Sequence, residues 1–206
     1  MDMRAAINLI ESTQKLDELQ GIKQHTAQDF YSKTEVLDYM REQGFEVLNW
    51  GMYGGVCDHP SFKGRYVLKV FADPFYEFFL DWASKQPENP HLPSIIGRVS
   101  KLTGEGRMVR IERLSEMTRA AYGAARLGRY VTYLRDPKKM APEEAERTAA
   151  FLDQKGLGTL RESLDTIAEI KPAGAYIDLT PENFMLRGDT IVISDPYGGA
   201  RIPFLR

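Results

Sequence analysis

An α+β fold is predicted for this chain, and three observations predict it. Strand-like segments concentrate between about residues 45 and 114, and helix-like periodicity dominates after them. The composition, 43% hydrophobic and 27% charged over 206 residues, is that of a globular protein. This length suits one domain or a compact two-lobed unit: after a helical extension over 1–43, a sheet-rich lobe over 44–114 and a helical lobe over 115–206.

Residues 3 to 19 carry Ala6, Ile7, Leu9, Ile10, Leu16 and Leu19 at helical spacing. Ser32-Lys33-Thr34-Glu35 is a capping box, from which a second helix runs to about Gln43, where Gly44 stops it. Phe45, Val47 and Leu48 suggest a strand. A glycine-bearing turn follows, then Tyr66-Val67-Leu68-Lys69-Val70-Phe71, a buried strand with a charge embedded in it. Phe75, Phe78, Phe79 and Trp82 stand at i, i+3, i+4 and i+7, which predicts a helix with one aromatic, core-packing face. Gln86 to Pro93 is a loop with three prolines. Ile95 to Val99 and Met108 to Leu114 form a hairpin about Gly104-Glu105-Gly106. Ser115 to Leu134 reads as mainly helical, weakened by Gly123 and Gly128, and Asp136-Pro137 breaks it. A helix begins near Pro142, Gly156 and Gly158 interrupt it, and Leu157, Leu160, Leu164 and Ile167 mark a last amphipathic helix.

The formal net charge of −2 gives no global basic field, so direct nucleic-acid binding is not expected. Arg126, Arg129, Arg135, Lys138 and Lys139 form a local basic cluster that reads as a solvated helix face and loop. The single cysteine, Cys57, allows no internal disulfide, which fits a reducing compartment, and no motif supports it as a nucleophile. His25, His59 and His91 lack metal-ligand spacing. No apolar run reaches about 18 residues and the N-terminus does not look like a signal peptide, so no membrane span is expected and the cytoplasm is the expected location.

The chemistry concentrates near the end. Tyr176-Ile177-Asp178-Leu179-Thr180-Pro181-Glu182-Asn183 places an Asn five residues after an Asp, and Ile191-Val192-Ile193-Ser194-Asp195-Pro196 ends an apolar run on a second Asp. Kinase-type phosphotransferases present a catalytic base and two magnesium ligands in this order. Asp178 would take the acceptor hydroxyl's proton, while Asn183 and Asp195 would hold Mg²⁺ through oxygen. A tight turn at Gly188-Asp189 would join Phe184-Met185-Leu186 to Ile191-Val192-Ile193 and carry both ligands to one end of a hairpin. The alternative is an ordinary surface hairpin with polar ends.

Two upstream features match the needs of ATP. In Asn49-Trp50-Gly51-Met52-Tyr53-Gly54-Gly55-Val56, the residues Gly51, Gly54 and Val56 fall in register with G-x-G-x-x-G-x-V, Tyr53 takes the aromatic tip, and Asn49 stands for the first glycine. A plain hairpin turn is the alternative. Lys69 would hold the α- and β-phosphates, with Glu77 as its acidic partner and Asp81 in reserve; the alternative is a lysine facing solvent. Glu112 and Leu114, after the strand through Ile111, occupy the place of an interlobe hinge whose backbone would read the adenine edge.

These residues resemble the protein kinase fold, and from Gly44 onward the chain resembles the early protein serine/threonine kinases of T7-like bacteriophages. Gly44 to Tyr53 with His59-Pro60, Val67-Leu68-Lys69-Val70, Leu92-Pro93, Ile111 to Leu114, Asp178 to Met185, and Ser194-Asp195-Pro196 match that family in order. The resemblance implies a two-lobed kinase-like fold with an N-terminal helical extension and a truncated helical C-lobe. It implies a Mg-ATP-dependent kinase that acts in the host cytoplasm on host bacterial proteins, including parts of the transcription or RNA-processing machinery. By the same resemblance Lys69 binds phosphates, Asp178 is the catalytic Asp, and Asn183 and Asp195 are metal ligands. The chain departs from the pattern at Tyr176, where typical kinases carry His, at Thr180, where many carry Lys, and at Pro196-Tyr197 in place of Phe-Gly. With 11 residues after Asp195, no long activation segment is expected. Two rival readings stand beside the kinase: a non-catalytic pseudokinase that binds and inhibits a host enzyme or defence factor, and a small-molecule phosphotransferase.

Overall fold

The computed structural model describes residues 33–51, 54–101 and 106–199. The helix expected over 3–19, Ser32 of the capping box, Tyr53 and the Gly104-Glu105 turn lie outside the described residues. Among the described residues no helix is long and apolar enough to cross a membrane.

A five-stranded antiparallel sheet forms the first half. Its strands are β1 (Glu46–Trp50), β2 (Gly54–Asp58), β3 (Tyr66–Phe71), β4 (Ile95–Lys101) and β5 (Arg107–Glu112), in the order β1-β2-β3-β5-β4. The central β3 alternates between two apolar environments, as the pleat requires. Leu68 and Val70 join a small cluster with Val36 and Met40 of helix α1 (Lys33–Glu42). Val67 and Phe71 face the other way, into the main core, with Val109 and Ile111 of β5. Lys69 shares that second face, directly opposite Val56 of β2 and Val109 of β5.

Helix α2 (Pro74–Ser84) connects β3 to β4 and lies on the main-core face. Asp73 caps it by accepting from the Phe75 and Tyr76 amides at 2.8 and 3.3 Å, with Pro74 in the first helical position. The buried face is Tyr76, Phe79, Leu80 and Ala83, whereas Phe78 remains 39% exposed. The aromatic stripe read from sequence is therefore rotated. Both sets fit a period of 3.6, and the sheet selects the one whose Tyr76 ring meets Phe71 edge-on, at 4.9 Å and 86°.

The second half is helical: α3 (Arg119–Ala124), α4 (Leu127–Arg135), α5 (Pro142–Gln154) and α6 (Gly158–Glu169). The single helix expected over 115–134 is divided. Ser115–Glu116 forms β6, which pairs with the later hairpin, and the chain bends at Arg126, whose φ of 54° lies in the left-handed region. Leu127, Tyr130, Val131, Leu152, Leu160, Leu164 and Ile167 turn inward and share one continuous core with Tyr76, Phe79 and the inner face of the sheet. β8 (Phe184–Arg187) and β9 (Thr190–Ile193) form the expected hairpin, and short β7 (Tyr176–Ile177) pairs with β10 (Tyr197–Gly198).

The Glu112 side chain serves in this architecture as a clamp. Its carboxylate accepts from Arg187 Nε at 2.8 Å, from Arg187 Nη2, and from the Ser94 amide at 2.7 Å. Its own amide donates to Ser94 O at 3.0 Å. Arg187 also donates to Pro90 O at 2.8 Å and Leu92 O at 2.9 Å. One guanidinium thus ties β5, the proline loop and β8 together. Leu114 lies between β5 and β6, half-buried, in the expected connecting segment.

Arg187→Ala leaves the mostly buried Glu112 carboxylate and two carbonyls without their donor. A loss of about 3 kcal/mol is expected, read as a lower urea midpoint at unchanged slope. Arg187→Lys should recover only a small part, because an ammonium cannot reproduce the planar fork. Gly54→Ala should destabilise by more than about 2 kcal/mol, since its φ is +152° and a Cβ there would lie 1.9 Å from Val70 O.

Candidate active site

Lys69 is the charge embedded in the apolar strand, and its ammonium has found two partners. Nζ lies 2.9 Å from Asp195 Oδ2, a residue 126 positions later, and 3.6 Å from the centroid of the Tyr76 ring. The side chains of Lys69 and Asp195 are 19% and 28% exposed. Burial alone works against the Lys69 ammonium, but Asp195 outweighs it and holds the lysine above its ordinary pKa. Burial also pushes the Asp195 carboxyl upward, and Lys69 is the principal force opposing that rise. Neither charge is stable at this depth without the other.

Glu77, expected as the acidic partner of Lys69, is engaged elsewhere: its carboxylate sits 3.3 Å from Arg107 Nε. Asp81, the reserve, pairs with exposed Lys85 at 2.6 Å. Both lie on the outward side of α2, while Tyr76 occupies the inward one. Tyr76 carries no signal of its own in the sequence, because it falls between the members of the predicted aromatic stripe. The Asp73-Pro74 cap signal, which sets where the helix begins, could have corrected the phase.

The segment from Asp178 to Asn183 forms a closed loop. The Asn183 side-chain amide donates to Asp178 O, and the Asn183 backbone amide donates to Thr180 O at 2.9 Å. Leu179 is fully buried and anchors the loop in the core, and its carbonyl accepts from Tyr122 Oη at 3.2 Å. Two backbone bonds then draw the second Asp alongside: Ser194 N to Asn183 O at 2.9 Å and Asp178 N to Pro196 O at 2.8 Å. Lys69, Asp178, Asn183 and Asp195 are thereby collected into one neighbourhood, although 126 residues separate the first from the last.

Asp178 keeps a partly exposed carboxylate, with Oδ1 3.7 Å from Arg135 Nη2. Arg135 is fixed in turn by Nε donating to Ile177 O at 2.9 Å. In the sequence, Arg135 belongs to the basic cluster that reads as a solvated helix face and loop. Nothing local marks it as a neighbour of Asp178, because the contact spans the chain from the end of α4 to the loop after β7.

Among the described residues no group of three His, Cys, Asp or Glu gathers as a metal cluster. A magnesium ion carried by phosphate and water requires only one or two protein oxygens. Asp195 Oδ1 is buried and has no hydrogen-bond partner, and the Asn183 side chain spends its nitrogen on Asp178 O, leaving its oxygen uncommitted. These two oxygens fit such an ion.

Gly51 N donates to Gly54 O at 2.7 Å, which closes the β1–β2 hairpin, and Gly54 is required for close packing against Val70. Val56, half-buried, stands beside Lys69 on the main-core face. Cys57 is buried and its thiol is pushed up to about 11, so it is not an activated nucleophile.

No protein-family model matches the sequence, and no curated protein matches it. Among solved structures, the chain is similar to APH(2")-IIa in its ternary complex with streptomycin and ATP. The TM-score is 0.32 and the identity 12%, over 82% of this chain and 73% of that one.

Lys69→Met strips Asp195 of its counter-charge, so the carboxyl should climb further above its unfolded value. A raised carboxyl favours the protonated form in the fold, which makes the variant most stable in acid and progressively weaker as pH rises through the titration of Asp195. The expected deficit against wild type is about 3 kcal/mol near pH 8 and clearly less near pH 4.5, measured by urea unfolding at both values.

Proposed function

We propose that this protein is a Mg-ATP-dependent protein kinase that transfers the γ-phosphate to serine or threonine hydroxyls of host bacterial proteins, as the early kinases of T7-like phages do. What supports the reading above all is the convergence of Lys69, Asp178, Asn183 and Asp195, brought together by backbone hydrogen bonds on both sides of Asp195. Positioning and charge neutralisation are the main requirements of phosphoryl transfer. Lys69, held by Asp195 and the Tyr76 ring, would meet the α- and β-phosphates. Asn183 and Asp195 would hold the magnesium ion, which neutralises charge on the phosphates. Asp178, oriented by Arg135, would accept the proton of the attacking hydroxyl as its oxygen bonds to the γ-phosphorus and ADP leaves. Leu114 and its neighbours remain the segment assigned to the adenine edge, with Val56 beneath the nucleotide.

A second reading is favoured by a specific observation. The Gly51 amide and the Gly54 backbone are committed to hairpin closure and strand packing, and Thr180 stands where many kinases carry a lysine. A non-catalytic relative that uses this surface to bind and inhibit a host factor would tolerate both features. A small-molecule phosphotransferase would share the Asp-to-Asn spacing and differ only in its acceptor.

Purified protein incubated with Mg²⁺ and γ-labelled ATP should label bacterial proteins, and Asp178→Asn should lower that rate by about 10²- to 10⁴-fold. Labelling no greater than that of the variant sinks the kinase reading. Mg-ATP at 100 times its Kd should stabilise the wild type by about 2.7 kcal/mol, and Asp195→Ala should abolish the shift. An absent shift favours the binder. Transfer to small hydroxylated acceptors but to no protein favours the small-molecule enzyme.

A further inference from the structure

We propose that the groove between α3, α4 and the start of α5 is the acceptor site and that it takes an acidic peptide segment; this rests on the phosphotransfer reading of the neighbouring loop. The groove has a volume of about 720 Å³, and its lining includes Tyr122, Arg126, Arg129, Thr132, Lys139 and Glu144. Three cations therefore face one carboxylate, in a protein whose formal net charge is −2. A solvated helix face would point its charges in divergent directions, whereas these converge on one concavity.

Arg126 reaches it through its left-handed backbone, with φ at 54°, and its guanidinium lies 4.3 Å from the Phe151 ring centroid. No carboxylate is paired with it among the described residues. Arg129 meets Glu144 at 2.8 Å and Lys139 meets Asp136 at 3.7 Å, both as exposed pairs that an incoming carboxylate can replace at little cost.

The groove is physically joined to the catalytic loop. Tyr122, in its wall, donates to the carbonyl of Leu179, the residue after Asp178. Gly128 packs beneath this ring, where a Cβ would come within 3.3 Å of it. Thr132 lies three residues before Arg135, the group against Asp178, on the same helix. An extended segment seated on Arg126, Arg129 and Lys139 would thus lead toward the Asp178 carboxylate. A nucleic-acid strand would need a longer basic track than this one concavity offers.

The test uses the full chain and a fluorescein-labelled peptide with a central serine flanked by Glu and Asp, beside its Gln and Asn counterpart. Anisotropy should show the acidic peptide binding at least about tenfold tighter, weakening as salt rises. The Arg126→Gln, Arg129→Gln, Lys139→Gln triple variant should bind both peptides alike while keeping its thermal midpoint; Asp178→Asn should keep the preference. Equal binding of the two peptides, a preference that survives the triple variant, or tighter binding of a single-stranded RNA oligonucleotide to the same residues would each overturn the proposal. The binding readout needs no turnover. Acidic-peptide binding without transfer from ATP to any acceptor sinks the phosphotransferase reading and the acceptor role with it. Transfer at equal kcat/KM to acidic and neutral peptides keeps phosphotransfer and overturns the groove.

Discussion

The ion pair between Lys69 and Asp195 is the constraint on which the rest depends. Each group lies at a depth where a single charge is unfavourable, and each is tolerated because the other stands 2.9 Å away. The pair joins the middle of the central strand to the segment after the last hairpin, so the first and last parts of the described chain must close on one another. Tyr76 completes the arrangement from the third side. Its buried ring offers its π face to the ammonium, which explains how the lysine is held without a carboxylate from α2.

Around that pair, backbone hydrogen bonds supply the precision. The loop from Asp178 to Asn183 contains little regular structure, yet it is closed by the Asn183 side chain, anchored by buried Leu179, and tied on both sides of Asp195. The hairpin bearing Asp195 is pinned at its other end by Arg187, which also holds Glu112 and the proline loop. His91, from that same loop, donates from Nδ1 to Ile191 O at 2.7 Å and accepts from Ile193 N through its carbonyl at 2.9 Å. The polar groups thus serve as cross-links between segments that the core brings near but does not orient.

Much of the fold was legible in the sequence because it rests on local signals. The β3 strand over Tyr66 to Phe71, the helix beginning at Pro142 and the Gly188-Asp189 hairpin follow from alternation, an N-terminal proline and turn chemistry. The order of Asp178, Asn183 and Asp195 was equally visible. The phase of α2 was not, because two sets of apolar residues satisfied the same period and only the opposing sheet chose between them. The break at Arg126 escaped as well, since a left-handed arginine has no sequence signature comparable to glycine.

By itself, the sequence determined most of the strands and helices and the order in which Lys69, Asp178, Asn183 and Asp195 occur, because propensity, periodicity and residue type act over a few positions. Tertiary structure decided who meets whom. It paired Lys69 with Asp195 and Tyr76 in place of Glu77, tied the Glu112 carboxylate to Arg187, and set Arg135 against Asp178. Those outcomes depend on burial and on distances between segments scores of residues apart, where electrostatic and desolvation energies are set by the surroundings and no local pattern records them.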